Sequence, residues 1–424
     1  MTKLINYSIG QSYVPLCWRT AHVTPVPKST IISQPSDLRP ISVTSLFSRL
    51  TEKMVVRDYL LPCLNSHLFK DQYAYKPTGS TTCALIDFSH RIHTMLETSK
   101  YVRCVFLDFS KAFDLVDHSI LIQKLITLQV PNFVIKWIVS FLSNRTQAVK
   151  LNFKVSSSAN INRSVIQGSG LGPILFIIYA FDLKCLDLAN YLLKYADDCT
   201  LLNPELANTS LELEMINVLD WAKINKMLIN FIKTKYMVLH RPNPRNFMPP
   251  PELDNIQRVN AFRLLGLILH PEFKINEHVC NILTTCNQRL YLLAQLKKQG
   301  LGPTERDIIF QSIVLSKILY ALPMYFGYLT EQMKSQINAI FHKAKRWQLI
   351  EKEYSLEQIA ETLQIELFVQ SKTGYHCLNH LYEPRHFDPE GIVLRNRGHG
   401  YNIPPIKYAF NRLSFVSRCL YNYR

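Results

Sequence analysis

The stretch KYADDCTLL, residues 194–202, places two adjacent carboxylates, Asp197 and Asp198, within an apolar run. The apolar residues on both sides of the pair predict two short strands about a tight turn. A third carboxylate, Asp108, interrupts the apolar run CVFLDFS at 104–110. Taken one at a time, the acids have simple explanations, because Asp is common at strand ends and in turns. An ionised carboxylate in apolar surroundings is nevertheless costly unless it is hydrogen-bonded, paired or metal-bound.

The composition indicates a packed globular protein with a polyanionic partner. Hydrophobic residues make up 47% of the 424 residues and charged residues 19%, which is not the composition of a disordered chain. The formal net charge of +16 suits nucleic acid or an anionic membrane surface and does not choose between them.

The termini and the cysteines indicate an intracellular protein without a membrane span. The N-terminal MTKLINYSIGQSYVP lacks the apolar core of a signal peptide. The most apolar late segment, 308–329, is interrupted by polar residues and a proline, which favours a buried helix. The ten cysteines show no zinc-type spacing, so reduced and buried thiols are expected. The group His278, Cys280 and Cys286 is a weak metal motif for which helix packing is the favoured explanation.

Periodicity along the chain predicts a mixed α/β (α+β) body followed by an all-helical region. Strands are expected at 103–109, 147–153, 235–240 and 262–269. Helices are expected at 45–61, at 117–131 with Asp117 as N-cap, after Pro173, and at 205–225. The prolines of 242–251 predict a stiff, exposed linker. Helical periodicity then runs to about Leu367, and we divide the chain at 1–270, 271–367 and 368–424.

The C-terminal tail, 368–424, interleaves basic and aromatic residues. No acidic residue follows Glu390. This pattern suits a phosphate backbone with stackable bases, and a terminal segment packed on the body explains it equally well. The basic residues concerned are Arg395, Arg397, Lys407, Arg412, Arg418 and Arg424.

If the two acidic strand ends lie side by side, they form a cluster of three carboxylates. Such a cluster is a hard oxygen site suited to Mg²⁺. Two ions about 4 Å apart activate an attacking hydroxyl and stabilise a leaving phosphate oxygen. On a basic chain, the cluster therefore points to phosphoryl transfer on a nucleic acid.

Three blocks in a fixed order resemble the palm motifs of reverse transcriptases. They are FLDFSKAFD at 106–114, IQGSGLGP at 166–173 and YADD at 195–198. The closest resemblance is to the polymerase domain of non-LTR (LINE-type) retrotransposons, and it runs from Trp18 to about Gly266. It implies a right-hand polymerase with fingers and palm in 1–270, followed by a helical thumb or connection region.

The resemblance implies roles for residues at matching positions. Asp108 and Asp197 would bind two Mg²⁺ ions, or Mn²⁺, with Asp198 beside them. Lys233, in NFIKT, matches a lysine that protonates the departing pyrophosphate, and Lys235 is an equally reachable candidate. Residues 265–266 resemble the turn beneath a primer terminus, although a hairpin without a catalytic role would look the same.

The resemblance also implies a nucleotide-binding group, made of Lys28, Arg39, Phe109, Phe113, Gln167 and Gly168. Lys28 and Arg39 match fingers residues that grip the triphosphate and neutralise its charge. Phe113 matches an aromatic steric gate that excludes a ribose 2′-OH, and a core Phe that opens a helix is the alternative. A glycine at 168 lets the backbone approach a base pair closely.

The main hypothesis is an RNA-directed DNA polymerase that uses an RNA template, a DNA primer or target DNA, and dNTPs. The competing hypothesis is a truncated, inactive relic that only binds nucleic acid. An RNA-dependent RNA polymerase fits less well, because such enzymes need room for ribose where Phe113 stands. The family's chromosomal insertion implies action in the nucleus. The chain begins close to the fingers, so a fragment of a longer element with an endonuclease is a further expectation; the oligomeric state stays open.

Overall fold

The computed structural model describes residues 2–28, 30–64, 68–242, 247–385 and 399–423. The strands within these residues are β1 (Thr20–Pro27), β2 (Leu38–Val43), β3 (Tyr101–Leu107), β4 (Arg145–Leu151), β5 (Lys154–Val155), β6 (Ala159–Ile161), β7 (Tyr191–Tyr195), β8 (Asp198–Pro204), β9 (Lys235–His240), β10 (Gln257–Arg258), β11 (Phe262–Leu264) and β12 (Leu267–Leu269). The α-helices are α1 (Thr2–Gly10), α2 (Leu16–Arg19), α3 (Leu46–Val55), α4 (Leu61–Cys63), α5 (Thr81–Thr98), α6 (His118–Thr127), α7 (Asn132–Leu142), α8 (Gly172–Tyr179), α9 (Leu211–Ile224), α10 (Asn276–Lys298), α11 (Pro303–Ile309), α12 (Ser316–Leu319), α13 (Leu322–Tyr325), α14 (Glu331–Arg346), α15 (Leu356–Ser371) and α16 (Phe415–Asn422). The predicted mixed α/β fold, with helices after residue 275, is confirmed.

A five-stranded sheet in the order β10-β9-β3-β8-β7 carries the acidic stretches. β3 lies in its middle and pairs antiparallel with β8 on one side and with β9 on the other. Every β3 residue after Tyr101 is buried. This position explains the continuous apolar run in the sequence, because a strand covered on both faces has no polar side to alternate with.

The two faces of this sheet lie against different hydrophobic cores. Successive side chains of a strand point to opposite faces. Accordingly, Cys104 and Phe106 belong to a first core with α5 and the helices from α10 onward. Val105 and Leu107 belong to a second core with α1 and α6 to α9. The helical region therefore packs directly on the body that carries the acids.

A second sheet has the order β2-β1-β4-β5, with β6 paired to β4. β1 and β2 form an antiparallel pair, and β1 also pairs in parallel with β4. Much of β2 is exposed. This arrangement presents the predicted basic residues, Lys28 after β1 and Arg39 within β2, on an exposed part of the protein.

Several local predictions are confirmed. Asp117 caps α6, because its carboxylate accepts the N–H groups of Ser119 and Ile120 at 3.0 and 3.2 Å. Pro173 lies in the first turn of α8. β7 and β8 form the predicted hairpin, with Ala196 in the left-handed region at a φ of 56°.

Some predicted boundaries are wrong. α9 begins at Leu211 and not near residue 205, because Ser210 accepts a backbone N–H and caps the helix there. Residues 262–269 form the hairpin β11–β12 instead of one strand, since both residues of the turn, 265 and 266, have positive φ values. In the predicted linker, residues 243–246 lie outside the described residues. Phe247 is half-buried instead of exposed, and its ring packs on His240.

The segment Pro303–Tyr328 is long and apolar enough to cross a membrane by length and composition, and 50% of its most apolar window is buried inside the protein. Phe310, Val314 and Ile318 have no exposed surface and belong to the first core. The segment is also interrupted, with a π-helical stretch at Phe310–Leu315. It packs as a core helix, as the polar interruptions in its sequence predict.

The described part of the tail packs against the body. The Phe410 ring lies 4.5 Å from the His93 ring of α5, centroid to centroid. The Arg418 guanidinium, predicted to face nucleic acid, instead donates to the Pro323 carbonyl oxygen at 2.7 Å. The alternative of a packed terminal segment is therefore favoured for 399–423. Arg395, Arg397 and Arg424 lie outside the described residues.

Candidate active site

The three carboxylates meet at one end of the central sheet. The β3–β8 ladder ends with Leu107 opposite Cys199. Because these strands are antiparallel, Asp108 and Asp198 follow this last pair as direct neighbours. Asp197 lies next to them at the tip of the β7–β8 hairpin. The sheet thus gathers acids that are far apart in sequence.

The carboxylates perturb one another electrostatically. Burial, and then the charges of Asp197 and Asp108, raise the pKa of Asp198 to about 6. Burial raises the pKa of Asp197 as well, the Asp108 charge raises it further, and Arg39 acts in the opposite direction. A divalent cation relieves such repulsion, and carboxylate oxygens are the ligands that hard cations take. The donor set therefore fits Mg²⁺ or Mn²⁺.

A cavity of ≈ 80 Å³ opens beside these acids, and Asp108, Asp198 and Lys233 are among its lining residues. The segment that carries Lys233 is fastened to the end of β3. The Asn230 N–H donates to the Asp108 carbonyl oxygen at 2.8 Å, and the Asp108 N–H donates to the Thr234 hydroxyl at 3.3 Å. These hydrogen bonds place Lys233 beside the cavity that Asp108 and Asp198 line.

The two lysine candidates occupy different positions. Lys233 is exposed and lines the cavity. The Lys235 ammonium instead donates to the Ile232 carbonyl oxygen at 2.7 Å and to the Gln257 side chain at 2.9 Å. The structure therefore favours Lys233 over Lys235 as the lysine that reaches the cavity.

Gln72 supports the hairpin tip, and the sequence analysis missed it. Its side chain is buried, and its Oε1 accepts the N–H of Ala196 at 3.0 Å and that of Ala74 at 2.9 Å. Next to it, the Lys194 ammonium is buried and lies 3.2 Å from the Asp71 carboxylate. The available signal was the pair of polar residues Asp71 and Gln72 beside aromatic neighbours. The sequence does not show which distant residues they contact.

The glycine-rich loop at 166–173 docks on β2. The Ser42 N–H donates to the Gln167 carbonyl oxygen at 2.7 Å. Gly168 has a φ of +106°, and a Cβ placed there would lie 2.5 Å from the Ser42 carbonyl oxygen. The Gln167 amide donates to the Asp114 carboxylate at 2.9 Å. The loop thus needs glycine at 168 and connects β2 with the turn after β3.

Glu52 of α3 fixes the other half of this loop, and it too was missed. It has 0% exposure, and its Oε2 accepts the N–H groups of Gly170 and Leu171 at 2.9 and 3.3 Å. The Ser48 hydroxyl donates to its Oε1 at 2.8 Å. A buried carboxylate satisfied by backbone donors holds the loop in a defined shape.

The two aromatic candidates lie in different environments. Phe113 is half-buried in a turn and not in a helix, and its ring stacks on Phe176 at 4.6 Å. Phe109 is buried in the second core and packs edge-on against Trp221 at 6.0 Å. Neighbouring side chains of an extended segment point to opposite sides. Because the Asp108 side chain faces the cavity, the Phe109 side chain faces the core. The Phe109 side chain thus packs in the core, and the nucleotide-binding role predicted for this residue stays a prediction.

The basic candidates act on the acidic site electrostatically. Arg39 counters the rise in the pKa of Asp197. Burial raises the pKa of Asp114, while Lys111 and Lys28 oppose that rise with their charges. Arg39 thus acts on a carboxylate of the acidic cluster, and Lys28 acts on Asp114, which holds the glycine-rich loop.

The weak metal motif in α10 does not form a ligand group within the described residues. His278 packs edge-on against Tyr325, Cys280 is exposed, and the Cys286 thiol lies 3.8 Å from the Val314 carbonyl oxygen. Helix packing, the favoured explanation, accounts for these residues. All ten cysteines are free thiols, but the prediction that they are buried is wrong for Cys17 and Cys280, which are exposed.

Three clustered carboxylates, a cavity that Lys233 lines and a basic hairpin nearby are the residue types that suit divalent metal ions and phosphates, as in polymerase active sites. Residues 26–269, more than half of the chain, match the reverse transcriptase (RNA-dependent DNA polymerase) family. The chain belongs to this family. The matched region contains the carboxylates, Lys233 and the glycine-rich loop.

Curated relatives come from non-LTR retrotransposons. A probable RNA-directed DNA polymerase from transposon X-element of Drosophila melanogaster is 25% identical over 365 residues, which cover 82% of this chain and 39% of the relative. The RNA-directed DNA polymerase from mobile element jockey of the same species is 26% identical, over 77% of this chain and 37% of the relative. A Pol polyprotein from the type-1 retrotransposable element R2 of Popillia japonica is 24% identical, over 76% of this chain and 46% of the relative. The chain therefore spans less than half the length of these relatives.

Solved structures with a similar chain path include telomerases. The apo telomerase of Candida tropicalis has a TM-score of 0.46 at 14% identity and is matched over 89% of this chain and 66% of its own. A complex of the same telomerase with a fragment of telomeric RNA has a TM-score of 0.44 at 13% identity, over 89% of this chain and 62% of its own.

Proposed function

We propose that this chain is an RNA-directed DNA polymerase of a non-LTR retrotransposon, which joins dNTPs to the 3′-OH of a DNA primer on an RNA template. The observation that carries the proposal is the meeting of Asp108, Asp197 and Asp198 at one sheet edge within the region that matches the reverse transcriptase family. The net charge of +16 supports a nucleic-acid partner.

Asp108 and Asp197 would hold two Mg²⁺ ions, or Mn²⁺, with Asp198 beside them. When bound, such ions activate the attacking hydroxyl and stabilise the leaving oxygen. The raised pKa values of Asp197 and Asp198 support this assignment, because the metal-free site carries more negative charge than it accommodates easily.

The remaining roles belong to the residues around the cavity. Arg39 and Lys28 offset the negative charge of the incoming triphosphate, and Lys233 supplies a proton to the departing pyrophosphate. The Phe113 ring, fixed by Phe176, closes the space that a ribose 2′-OH would need. Gln167 and Gly168 lie against the nascent base pair, with Gln167 held by Asp114.

The domain assignments and the cellular site are part of the same proposal. Residues 1–270 are fingers and palm, 271–367 are a thumb or connection region, and 368–424 are a C-terminal tail. The helices that begin at Asn276 support the second boundary. Action in the nucleus, on a target DNA that supplies the primer, is supported by the retrotransposon origin of the relatives.

The test is primer extension by the purified chain on an RNA template, with Mg²⁺ and either dNTPs or rNTPs. Asp197→Asn should reduce extension to background, while Asp220→Asn, an exposed acid on α9, should leave it unchanged. Circular dichroism should show both variants folded. Extension that survives Asp197→Asn refutes the site, and a preference for rNTPs refutes the DNA polymerase assignment. Salt-sensitive RNA binding without any extension favours an inactive relic.

A further inference from the structure

A second group of metal-ligand side chains lies in the first core, between α5 and the segment after α15. Cys83 is in the first turn of α5, and His376 and Cys377 follow α15. Their ligand atoms all lie within 4.8 Å of one another. Cys83 has 2% exposure, and His376 and Cys377 have 8% each. Nothing in the proposed polymerase site uses these residues.

The backbone around the three side chains is fixed by hydrogen bonds. The Cys377 N–H donates to the Thr78 hydroxyl at 2.9 Å. The Thr78 carbonyl oxygen lies 3.1 Å from the Cys377 sulfur and 3.7 Å from the Cys83 sulfur. The His376 Nδ1 accepts the Leu378 N–H at 3.2 Å, so a metal ion that binds through this nitrogen would replace that hydrogen bond. The loop before α5 and the segment after α15 thus hold two thiols and a neutral imidazole together.

The chemistry of this donor set differs from that of the carboxylates. Thiolate sulfur and imidazole nitrogen are ligands of Zn²⁺ and not of Mg²⁺. In a tetrahedral zinc site with Zn–S near 2.3 Å, neighbouring ligand atoms stand about 3.6–3.8 Å apart. The ligand atoms here lie within 4.8 Å of one another, so their distances exceed those of a zinc site by about 1 Å at most. Small side-chain rotations are enough to close this difference. A disulfide would engage the two sulfurs and leave the buried imidazole without a role.

We propose that Cys83, His376 and Cys377 bind one Zn²⁺ ion, with a water molecule in the fourth position. Each thiol releases its proton to solvent when the ion binds. The ligands come from opposite halves of the chain, so the ion fastens the C-terminal segment to the start of α5. The inference does not depend on the proposed polymerase activity.

The test measures metal binding by the whole purified chain and not its activity. After dialysis against metal-free buffer with added ZnSO₄, mass spectrometry should find one zinc per chain. Replacement by Co²⁺ should give the sulfur-to-cobalt charge-transfer absorption and the strong visible bands of a tetrahedral thiolate site. Cys83→Ser and Cys377→Ser should each weaken zinc binding at least tenfold. The matched control is Cys286→Ser, a buried helical cysteine outside the group.

Two further measurements keep the outcome decisive if a serine variant fails to fold. His376→Cys makes a three-thiolate site, so it should keep the zinc and strengthen the cobalt–sulfur absorption. Thiol titration in denaturant with a chelator should find ten free cysteines. A wild-type chain that binds neither Zn²⁺ nor Co²⁺ while all ten thiols titrate overturns the proposal. Eight titrating thiols, with Cys83 and Cys377 joined in one peptide, overturn it in favour of a disulfide.

Discussion

Replacing Gln72 with methionine should loosen the tip of the β7–β8 hairpin while leaving every carboxylate in place. Gln72 Oε1 accepts the N–H groups of Ala196 and Ala74, and both alanines are buried, with exposures of 5% and 1%. Methionine fills a similar volume but offers no acceptor of comparable strength. Water cannot readily replace the lost oxygen at such buried positions.

The expected magnitude follows from the two orphaned donors. A buried backbone N–H without a partner costs about 1–3 kcal/mol, so Gln72→Met should lower the free energy of unfolding by about 2–4 kcal/mol. Asp197 follows Ala196 directly, and a displacement of about 1 Å in a catalytic group costs about a hundredfold in rate. We therefore expect primer extension per folded molecule to fall roughly 10- to 100-fold.

Urea denaturation and single-turnover primer extension, at a temperature well below the unfolding transition, measure these two effects. Gln364→Met is the matched control, because Gln364 is also buried and its side chain bonds Tyr423 and Arg418 in the C-terminal region. It should destabilise the protein without slowing extension by the folded fraction. If Gln72→Met has the stability and extension rate of the wild type, Gln72 does not support the hairpin tip. If Gln72→Met and Gln364→Met slow extension equally, the loss of rate comes from global destabilisation.

Three other perturbations test single features of the site. Lys233→Ala should lower the rate of extension about a hundredfold, as expected for loss of a general acid, while Lys235→Ala should have little effect. Gly168→Ala should lower the free energy of unfolding by roughly 2–4 kcal/mol, because it adds a clash with Ser42 to an unfavourable backbone angle. Since the raised pKa of Asp198 means that its ionised form destabilises the fold, stability should fall as pH rises from about 4 through about 6. Asp198→Asn in chelator should therefore stabilise the protein above pH 6 by roughly 1 kcal/mol, a modest gain because solvent screens this exposed carboxylate.

Each of these perturbations has its own control. Equal losses in Lys233→Ala and Lys235→Ala would contradict the choice between the lysines. Gly300 has a similar positive φ of +94°, and no atom lies within 4 Å of a Cβ added there. Gly300→Ala therefore measures the cost of the backbone angle without a clash. For Asp198→Asn, the stabilisation should shrink as pH falls below 6 and when Mg²⁺ is added. A gain that is independent of pH and metal would contradict the electrostatic explanation.

The sequence predicted the parts of the site that local pattern determines. The strand around Asp108, the hairpin around Asp197 and the helix cap at Asp117 all depend on neighbours within a few residues. Gln72 and Glu52 were missed because each satisfies backbone donors more than a hundred residues away. Periodicity reports which face of an element is apolar, and it carries no information about such partners.

The burial of Phe109 and the boundary error at 262–269 show what the local pattern leaves open. Side-chain alternation along the strand directs the Phe109 ring into the core, which its motif alone does not reveal. The hairpin at 262–269 read as one strand because its two-residue turn, 265–266, is flanked by apolar residues on both sides.

The packing of the C-terminal segment on α5 has a consequence for synthesis of the protein on the ribosome. His93 of α5 is hydrogen-bonded to Asn411 at 2.8 Å, and Glu97 contacts the same asparagine. Roughly 300 residues separate these partners, and at about 5–20 residues per second the ribosome needs about 15–60 s to add them. During that interval α5 lacks its contacts with the C-terminal segment, so the nascent chain leaves the apolar surface that this segment covers exposed to chaperones. Chains that end prematurely before α16 would keep this surface exposed and would be candidates for aggregation and proteolysis.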